Sequence, residues 1–265
     1  MVVTGAGRGI GRSIAQTMAR AGATVAALSR TGGEVTAVVE EIVAAGGAGR
    51  AFTADVTVGE EVASAFAAIE AELGPVGVVV NNAGTNLALG LPWEVDPDEW
   101  WCDVETTLRG TFHWTQVAGR AMVERGSGRI INISSGAASE PRPYSAGYAA
   151  VKTAAQRYSE SVAPVFQEHG VHVFSLNPGP VRTTLNDRGK NSESGRRYAT
   201  DVPADQYLAA ERVAGHALFL AEGRGDVLAG RYLTAFEDIE QVVADERLVD
   251  PEFLTLRIKG WEWPR

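Results

Sequence analysis

The feature that most constrains this chain is a glycine-rich turn between a short apolar strand and a helix, close to the first residue. Thr4–Gly11 reads Thr-Gly-Ala-Gly-Arg-Gly-Ile-Gly, follows Val2-Val3, and leads into Ile10, Ile14 and Met18 at helical spacing. Glycines let a backbone approach a pyrophosphate, and a helix N-terminus favours its negative charge. Such turns also join strands to helices without binding a ligand. The pattern therefore predicts an α/β unit and, in that context, a candidate phosphate site.

The rest of the chain alternates short apolar runs with helical patterns. Val76–Val80 is a near-continuous apolar run, as in a central strand of a parallel sheet. The other predicted strands are Thr24–Leu28, Arg50–Ala54, Arg129–Ser135, Val171–Leu176 and Gly230–Ala235. This order predicts one α/β domain over residues 1–265, with ligands at the carboxyl ends of the strands.

A long helix is predicted to begin at Asp96 as the cap, with Pro97 in its first position and Glu99 completing a capping box. Its apolar residues are Trp100, Val104, Leu108, Phe112 and Val117. We expect much of this helix to be buried and part of it to lie in a subunit interface. Cys102 falls in the same pattern and is expected in the core.

A hydroxyl, a phenol and an ammonium are predicted to meet at the end of one strand. Ser135 ends the Arg129–Ser135 run, and Tyr148 and Lys152 lie four residues apart on one face of a helix that begins near Ser145. A nearby ammonium would lower the pKa of Tyr148 from its ordinary value of about 10, and Ser135 would hold a substrate oxygen. The trio suits proton transfer to an alcohol or carbonyl. The alternative is a Tyr–Lys pair on a solvated helix face.

The second predicted strand ends without a carboxylate, at Ser29-Arg30. A carboxylate there would bind the 2′-hydroxyl of an adenosine ribose and repel a 2′-phosphate. Arg8 can approach the same place, and two guanidiniums with a hydroxyl suit a phosphate. We favour a 2′-phosphate site over solvated loop arginines. Asp55, past the third strand, is expected to accept a hydrogen bond from adenine or to cap the next helix.

The bulk composition argues against several functions. A formal net charge of −9 disfavours nucleic acid and anionic membranes as partners, and no apolar run has the roughly 18 residues of a membrane span. A single cysteine predicts a reducing, cytoplasmic location. The four histidines form no metal-binding motif, so no metal is predicted. No signal peptide is expected, because structured sequence begins at once.

Residues 184–212 are predicted to form a lid over a substrate. The sequence from Thr184 to Asp205 is polar and typical of a mobile loop. It is also locally basic, with Arg182, Arg188, Lys190, Arg196 and Arg197. These charges suit either an anionic substrate tail or an ordinary solvated loop.

Taken together, these motifs resemble those of the short-chain dehydrogenases/reductases, in their single-domain branch. In chain order they are the TGxxxGxG-like loop Thr4–Gly11, the adenine contact Asp55-Val56, the NNAG-like Asn81–Gly84, the catalytic serine Ser135, the YxxxK-like Tyr148–Lys152 and the nicotinamide-contacting Pro178–Thr183. The match runs from Thr4 to about Ala235. It implies an α/β fold with a doubly wound, Rossmann-type parallel sheet of seven strands and helices on both faces.

The resemblance also implies the chemistry and the site. Ser135, Tyr148 and Lys152 would be catalytic in an oxidoreductase that uses NADP(H) in preference to NAD(H), as in members similar to this chain at Arg8 and Ser29-Arg30. The implied cofactor-binding residues are Gly5, Arg8, Gly9, Ile10, Gly11, Ser29, Arg30, Asp55, Val56, Asn81, Ala83, Gly84, Tyr148, Lys152, Pro178, Gly179, Val181 and Thr183. The implied assembly is a homotetramer or homodimer.

Two departures from the family pattern stand out. Thr107 occupies the position where many members carry an asparagine that holds a water in a proton relay. The chain also continues past the last predicted strand with residues 236–265, in which Trp261 and Trp263 are expected to pack on a neighbouring surface.

The leading hypothesis is therefore an NADPH-dependent reductase of small-molecule ketones, or the reverse dehydrogenase of secondary alcohols. A second hypothesis, suggested by the basic residues of the lid, is an enzyme that reduces 3-oxoacyl thioesters on a carrier protein. A third hypothesis, from a different class of function, is a protein that binds NADPH without turnover. It is suggested by Thr107, which stands in place of the asparagine that many members use in a proton relay.

Overall fold

The computed structural model describes residues 1–185, 187, 192–198 and 202–257. Seven parallel strands form one sheet in the order β3-β2-β1-β4-β5-β6-β7. The strands are β1 Val2–Thr4, β2 Thr24–Ser29, β3 Ala48–Thr53, β4 Val78–Asn81, β5 Gly128–Ile133, β6 Val171–Asn177 and β7 Tyr232–Thr234. The predicted Rossmann order is confirmed, with β7 shorter than its apolar run suggested.

The described helices lie between these strands, except for the last helix, which follows β7. They are α1 Gly9–Arg20, α2 Gly32–Ala44, α3 Gly59–Leu73, α4 Pro97–Asp103, α5 Gly110–Arg125, α6 Ala146–Gln167, α7 Glu193–Tyr198, α8 Ala210–Ala221 and α9 Ile239–Val243. A π-helical turn at Val104–Arg109 joins α4 to α5. Among the described residues, no helix is both long and apolar enough for a membrane span.

Two hydrophobic clusters cover the two faces of the sheet. Val25 and Ala27 of β2 join the cluster formed with α1, α2 and α8, whereas Ala26 and Leu28 join the cluster formed with α3, α5 and α6. Successive strand residues point to opposite faces, so a sheet covered on both sides needs apolar residues at nearly every strand position. This is why central strands such as β1 and β4 appear in the sequence as nearly continuous apolar runs.

The long helix begins as predicted but buries a different face. Asp96 accepts a hydrogen bond from the Asp98 backbone N–H at 2.8 Å, as expected of the cap. Phe112, from the predicted stripe, is 41% exposed, whereas Thr107 and Thr115 are buried. The π-helical turn inserts an extra residue and rotates the following helix, so the spacing of one straight helix does not predict its buried face. Cys102 is half-buried rather than in the core.

The segment after β7 packs back on the domain. Ile239 is buried in the cluster with α1, α2 and α8, and Leu248 packs against it. Arg231 donates to the carbonyl oxygens of Leu248 at 3.1 Å and Asp250 at 2.9 Å. The extension predicted at residues 236–265 is thus part of the domain up to residue 257. Trp261 and Trp263 lie outside the described residues, as do two of the five basic positions predicted in the lid, Arg188 and Lys190.

Candidate active site

A cleft of about 420 Å³ lies at the carboxyl ends of the central strands. It runs from the glycine-rich loop between β1 and α1 to the start of α6. The predicted site residues that line it are Gly5, Arg8, Gly9, Ile10, Ser29, Arg30, Val56, Ala83, Gly84, Tyr148, Lys152, Pro178 and Thr183. The glycine loop and the Tyr148–Lys152 pair, predicted separately, therefore share one cavity.

The glycine loop has the backbone that its sequence predicts. Gly5 and Gly9 adopt φ values of +62° and +54°, which residues with a side chain rarely adopt. A Cβ on Gly11 would lie 2.3 Å from the Gly5 carbonyl oxygen, so α1 packs against the loop too closely for a side chain. Arg8, at the N-cap of α1, makes no side-chain capping bond. The first N–H groups of α1 are thus available to a ligand in the cleft.

The loop after β4 is tied to the glycine loop by Asn82 and Thr4. The Asn82 amide donates to the carbonyl oxygens of Thr4 and Gly5 at 3.0 and 3.1 Å. The Thr4 hydroxyl accepts from the backbone N–H groups of Asn82 and Ala83 at 3.0 and 3.1 Å. Asn82 also lines the cleft. These bonds give the cleft two walls that hold each other in place.

Asn81 has a different place from the one predicted for it. It is buried, and its amide donates to Asn132 at 2.8 Å and to Thr115 at 3.3 Å inside the domain. Asn132 donates in turn to Ser159 of α6 at 2.8 Å. Asn81 is absent from the lining of the cleft. Its side chain therefore holds β4, β5, α5 and α6 together, and Asn82 is the asparagine that faces the cavity.

Tyr148 and Ser135 meet at the inner end of the cleft. The Ser135 side chain is close enough to the Tyr148 phenol to lower its pKa, and the Ser135 hydroxyl accepts from the Ala137 N–H at 3.2 Å. The Tyr232 hydroxyl of β7 donates to the Ser135 carbonyl oxygen at 2.9 Å and fixes the serine backbone. No local sequence pattern predicts this contact, because the distance of Tyr232 from Ser135 depends on the pairing of β6 with β7.

The pKa of Tyr148 differs from the sequence-based expectation. Burial raises it to about 12, and the Asp103 carboxylate raises it too, while the Ser135 side chain lowers it. Burial also lowers the pKa of Lys152 to about 8. The expected acidic phenol is therefore not present in this structure, because desolvation of the phenolate outweighs the effects of Ser135 and of the Arg142 charge, which lower the pKa.

Lys152 is held at the end of β5. Its Nζ donates to the Ile133 carbonyl oxygen at 2.7 Å and lies 5.7 Å from the centre of the Tyr148 ring. A Cβ on Gly84 would lie 3.8 Å from this Nζ and 3.2 Å from Thr107 Oγ1. Gly84 thus leaves room between the Lys152 ammonium and the Thr107 hydroxyl.

Thr107 lies in the π-helical turn, and its hydroxyl makes one long hydrogen bond to the loop after β4. Oγ1 accepts from the Thr85 N–H at 3.4 Å. A single turn of π-helix often marks a functional site, because it turns a side chain out of the regular helical register. Here it brings Thr107 toward the strand ends.

Charges of both signs lie at the outer end of the cleft. Arg8, Arg30 and Glu34 line it, and Asp55 lies 3.5 Å from Arg30. Burial of the Asp55 carboxyl favours its neutral form, but hydrogen bonds from Thr57 and the Arg30 charge outweigh this and lower its pKa. Glu34, which the sequence motifs did not predict as a site residue, packs its carboxylate against Gly7 of the glycine loop. The predicted pair of arginines is therefore balanced by two carboxylates.

Five other predicted residues lie beside the cleft rather than on its wall, and the predicted catalytic Ser135 is one of them. Asp55 accepts from the Thr57 N–H at 2.8 Å, and Val58 is the N-cap of α3, so the prediction that Asp55 caps that helix is wrong. Gly179, with φ +67°, donates to Asn177 at 3.0 Å. Val181 is buried and forms a parallel bridge with Leu208. Gly11 packs under the glycine loop.

A protein-family model described as short chain dehydrogenase matches residues 1–194. The chain belongs to the short-chain dehydrogenase family. A short chain dehydrogenase of Pseudocercospora fijiensis is 31% identical to it over 262 residues, which cover 92% of this chain and 82% of that protein. The 3-oxoacyl-[acyl-carrier-protein] reductase FabG of Escherichia coli is 31% identical and covers 88% of this chain and 93% of its own length.

The fold of this short-chain dehydrogenase is also that of solved structures. A gluconate 5-dehydrogenase from Burkholderia cenocepacia, crystallised with NADP and tartrate, aligns with a TM-score of 0.80 and 29% identity over 88% of this chain and 91% of that one. The family and the Rossmann fold predicted from the motifs are thereby confirmed.

The residues of this cleft fit a nicotinamide dinucleotide. The uncapped N-terminus of α1 and the glycine loop suit its pyrophosphate. The buried hydroxyls of Thr85 and Ser134 line the cleft without a hydrogen-bond partner. Buried polar groups without a partner cost stability unless a ligand or water satisfies them. This wall is therefore suited to a polar ligand.

Proposed function

We propose that this short-chain dehydrogenase uses NADP(H) to interconvert a ketone and a secondary alcohol. The observation that carries the proposal is that Tyr148 and Lys152 line the cleft that the glycine loop opens, with Ser135 next to Tyr148. The neighbouring gluconate 5-dehydrogenase structure with NADP supports the choice of cofactor. When bound, NADPH supplies the hydride.

Tyr148 is the proton donor in this proposal. With its pKa raised to about 12, the phenol is protonated at neutral pH and holds the proton that ketone reduction consumes. Ser135, next to the phenol, orients the carbonyl oxygen toward it. In this proposal both groups contact the same substrate oxygen, which puts the proton donor within the hydrogen-bond reach that general acid catalysis requires.

Lys152 positions the site and supplies its positive charge. Its bond to Ile133 fixes the ammonium at the strand end, where it stabilises negative charge that forms on the Tyr148 oxygen as the proton leaves. Arg8 and Arg30 are the groups proposed to meet the 2′-phosphate, with Glu34 and Asp55 limiting that preference.

A panel of ketones and secondary alcohols, assayed by the absorbance of NADPH, tests the proposal. We expect NADPH consumption with at least one ketone and NADP⁺ reduction with the matching alcohol. If NADPH binds but no ketone or alcohol of the panel is turned over, the alternative hypothesis is favoured, in which the protein keeps the fold and binds NADPH without catalysis. NADPH that does not bind would contradict the proposal at its first step.

A second candidate is reduction of 3-oxoacyl thioesters, favoured by the similarity to FabG of E. coli. Arg196 and Arg197 of α7 are exposed and follow the cleft residues Thr183–Leu185 in sequence. The double variant R196Q/R197Q is expected to weaken thioester substrates and to leave small ketones as they are. Equal effects on both substrate types would contradict this second candidate.

A further inference from the structure

The wall of the cleft contains an amide that the proposed proton transfer does not use. Asn86 is only 7% exposed, lines the same cavity as Tyr148 and Lys152, and its Oδ1 has no hydrogen-bond partner. A carbonyl oxygen of an amide only accepts hydrogen bonds, whereas the nearby hydroxyls of Thr85 and Ser134 can rotate to donate or accept. Oδ1 of Asn86 therefore needs a donor from whatever fills the cleft.

The position of Asn86 is fixed by a buried carboxylate on the long helix. Asp103 is fully buried, and its oxygens accept from the backbone N–H groups of Leu87 at 2.9 and 3.0 Å and of Ala88 at 3.1 Å. Hydrogen bonds to a charged acceptor are stronger than neutral ones. The residues that directly follow Asn86 are thus held in place, and the amide is presented by a rigid loop rather than a mobile one.

The charges around this part of the cleft favour a neutral donor. Among the described residues that line the cavity, Arg8 and Arg30 lie with Ser29 at its outer end, and the cation at the inner end is Lys152. Arg142, which also faces Tyr148, is paired with Glu140 at 3.0 Å. A hydroxyl satisfies the amide oxygen without needing a further counter-charge.

We infer that Asn86 binds a hydroxyl next to the reacting carbon, so that the preferred substrates are hydroxyketones and the products vicinal diols. This inference rests on the proposed function and deepens it. In the reduction, the carbonyl carbon accepts the hydride of NADPH and its oxygen accepts the Tyr148 proton. The hydroxyl bound by Asn86 is unchanged, and NADPH becomes NADP⁺.

Hydroxyacetone and acetone test this inference, because they differ by one hydroxyl. A site built to bond a hydroxyl discriminates against the analogue that lacks it. We expect wild-type kcat/KM with NADPH to favour hydroxyacetone by at least about tenfold, and Asn86→Leu, of similar size, to lose most of that ratio. Asn86→Ser, which keeps a polar group, should retain part of it and serves if the leucine variant does not fold.

Ser13→Ala is the matched control. Ser13 is another buried side chain whose Oγ has no partner, but it lies on α1 outside the lining of the cleft. Its removal should leave the hydroxyacetone-to-acetone ratio as it is. A wild-type enzyme that reduces both ketones equally, or a ratio that survives in both Asn86 variants, would overturn the inference.

Calorimetry separates failure of this inference from failure of the proposed function. Protein loaded with NADP⁺ is titrated with propylene glycol, the diol that corresponds to hydroxyacetone. Turnover of neither of these ketones, nor of any other member of the ketone panel, contradicts the proposed function. The role of Asn86 is then supported if wild-type protein binds the diol at least about tenfold more tightly than Asn86→Leu, and is overturned if the two bind it equally.

Discussion

Lys152 donates from Nζ to the carbonyl oxygen of Ile133 at 2.7 Å. This bond fixes the ammonium at the end of β5 and 5.7 Å from the centre of the Tyr148 ring. The free ammonium is also costly there, since burial lowers the pKa of Lys152 from 10.5 to about 8. Burial of the Lys152 ammonium in the proposed catalytic site should therefore make the stability of the protein depend measurably on pH.

Lys152 should make the cofactor-free protein more stable as the pH rises from about 8 to about 10.5. In that range the unfolded chain binds the Lys152 proton and the folded chain does not, so the free energy of unfolding increases with pH, by about 3 kcal/mol in total. Urea denaturation of wild type and Lys152→Met at several pH values measures it. The difference in stability between the two proteins should shift in favour of wild type as the pH rises, and a constant difference would contradict this assignment.

Asp103→Asn should lower the pKa of Tyr148. Burial is the main cause of the raised pKa, and the Asp103 charge adds to it. Removing that charge while keeping one amide oxygen for the loop should shift the phenol titration down by up to about one pH unit. The ultraviolet absorbance of the phenolate, with Tyr148→Phe subtracted, reports this titration. An unchanged or raised pKa would show that the Asp103 charge does not act on Tyr148.

The preference for NADPH over NADH should depend on both the arginines and the carboxylates at the outer end of the cleft. Arg30→Ala should weaken NADPH roughly tenfold more than NADH, because it removes a phosphate partner. Glu34→Gln should favour NADPH by about threefold, because a carboxylate repels the 2′-phosphate. Fluorescence titration gives each Kd. Arg12→Ala is the control, since Arg12 pairs with Glu41 at 2.8 Å. Equal changes for both cofactors in the Arg30 and Glu34 variants would contradict the charge argument.

Gly11→Ala should destabilise the protein and weaken NADPH binding. Its Cβ would lie 2.3 Å from the Gly5 carbonyl oxygen and 2.4 Å from the Asn82 amide nitrogen, so α1 must move away from the loop. Overpacking of this kind costs about 1 to 3 kcal/mol. Gly33→Ala in the first turn of α2 has open space around its Cβ and should be neutral or slightly stabilising. Thermal unfolding of both variants tests the contrast.

The sequence was most informative where a feature depends on neighbouring residues. The glycine turn, the Asp96 cap and the Tyr148–Lys152 spacing are local patterns, and the structure places them as predicted. The buried face of the long helix was predicted wrongly because a π-helical turn at Val104–Arg109 leaves no signal in the apolar spacing.

Features that depend on packing between distant segments could not be predicted. Glu34 reaches Gly7 only because α2 packs beside the glycine loop. Asn81 bonds to Asn132 of β5 whereas Asn82 bonds to Thr4 of β1, and these partners depend on which strands lie on either side of β4. The direction of the Tyr148 pKa shift required knowledge of burial, since desolvation and a nearby cation act in opposite senses. The roles in catalysis and cofactor binding remain predictions.

The role of Tyr148 as the proton donor is tested most directly by measuring both the activity and the NADPH affinity of Tyr148→Phe. The variant loses the phenol hydroxyl that would donate the proton and keeps the ring in the cleft. We expect kcat with any ketone that the wild type reduces to fall by at least about a hundredfold, while the Kd for NADPH by fluorescence titration stays within about threefold. A variant that binds NADPH and still oxidises it with substrate at the wild-type rate would contradict the central claim.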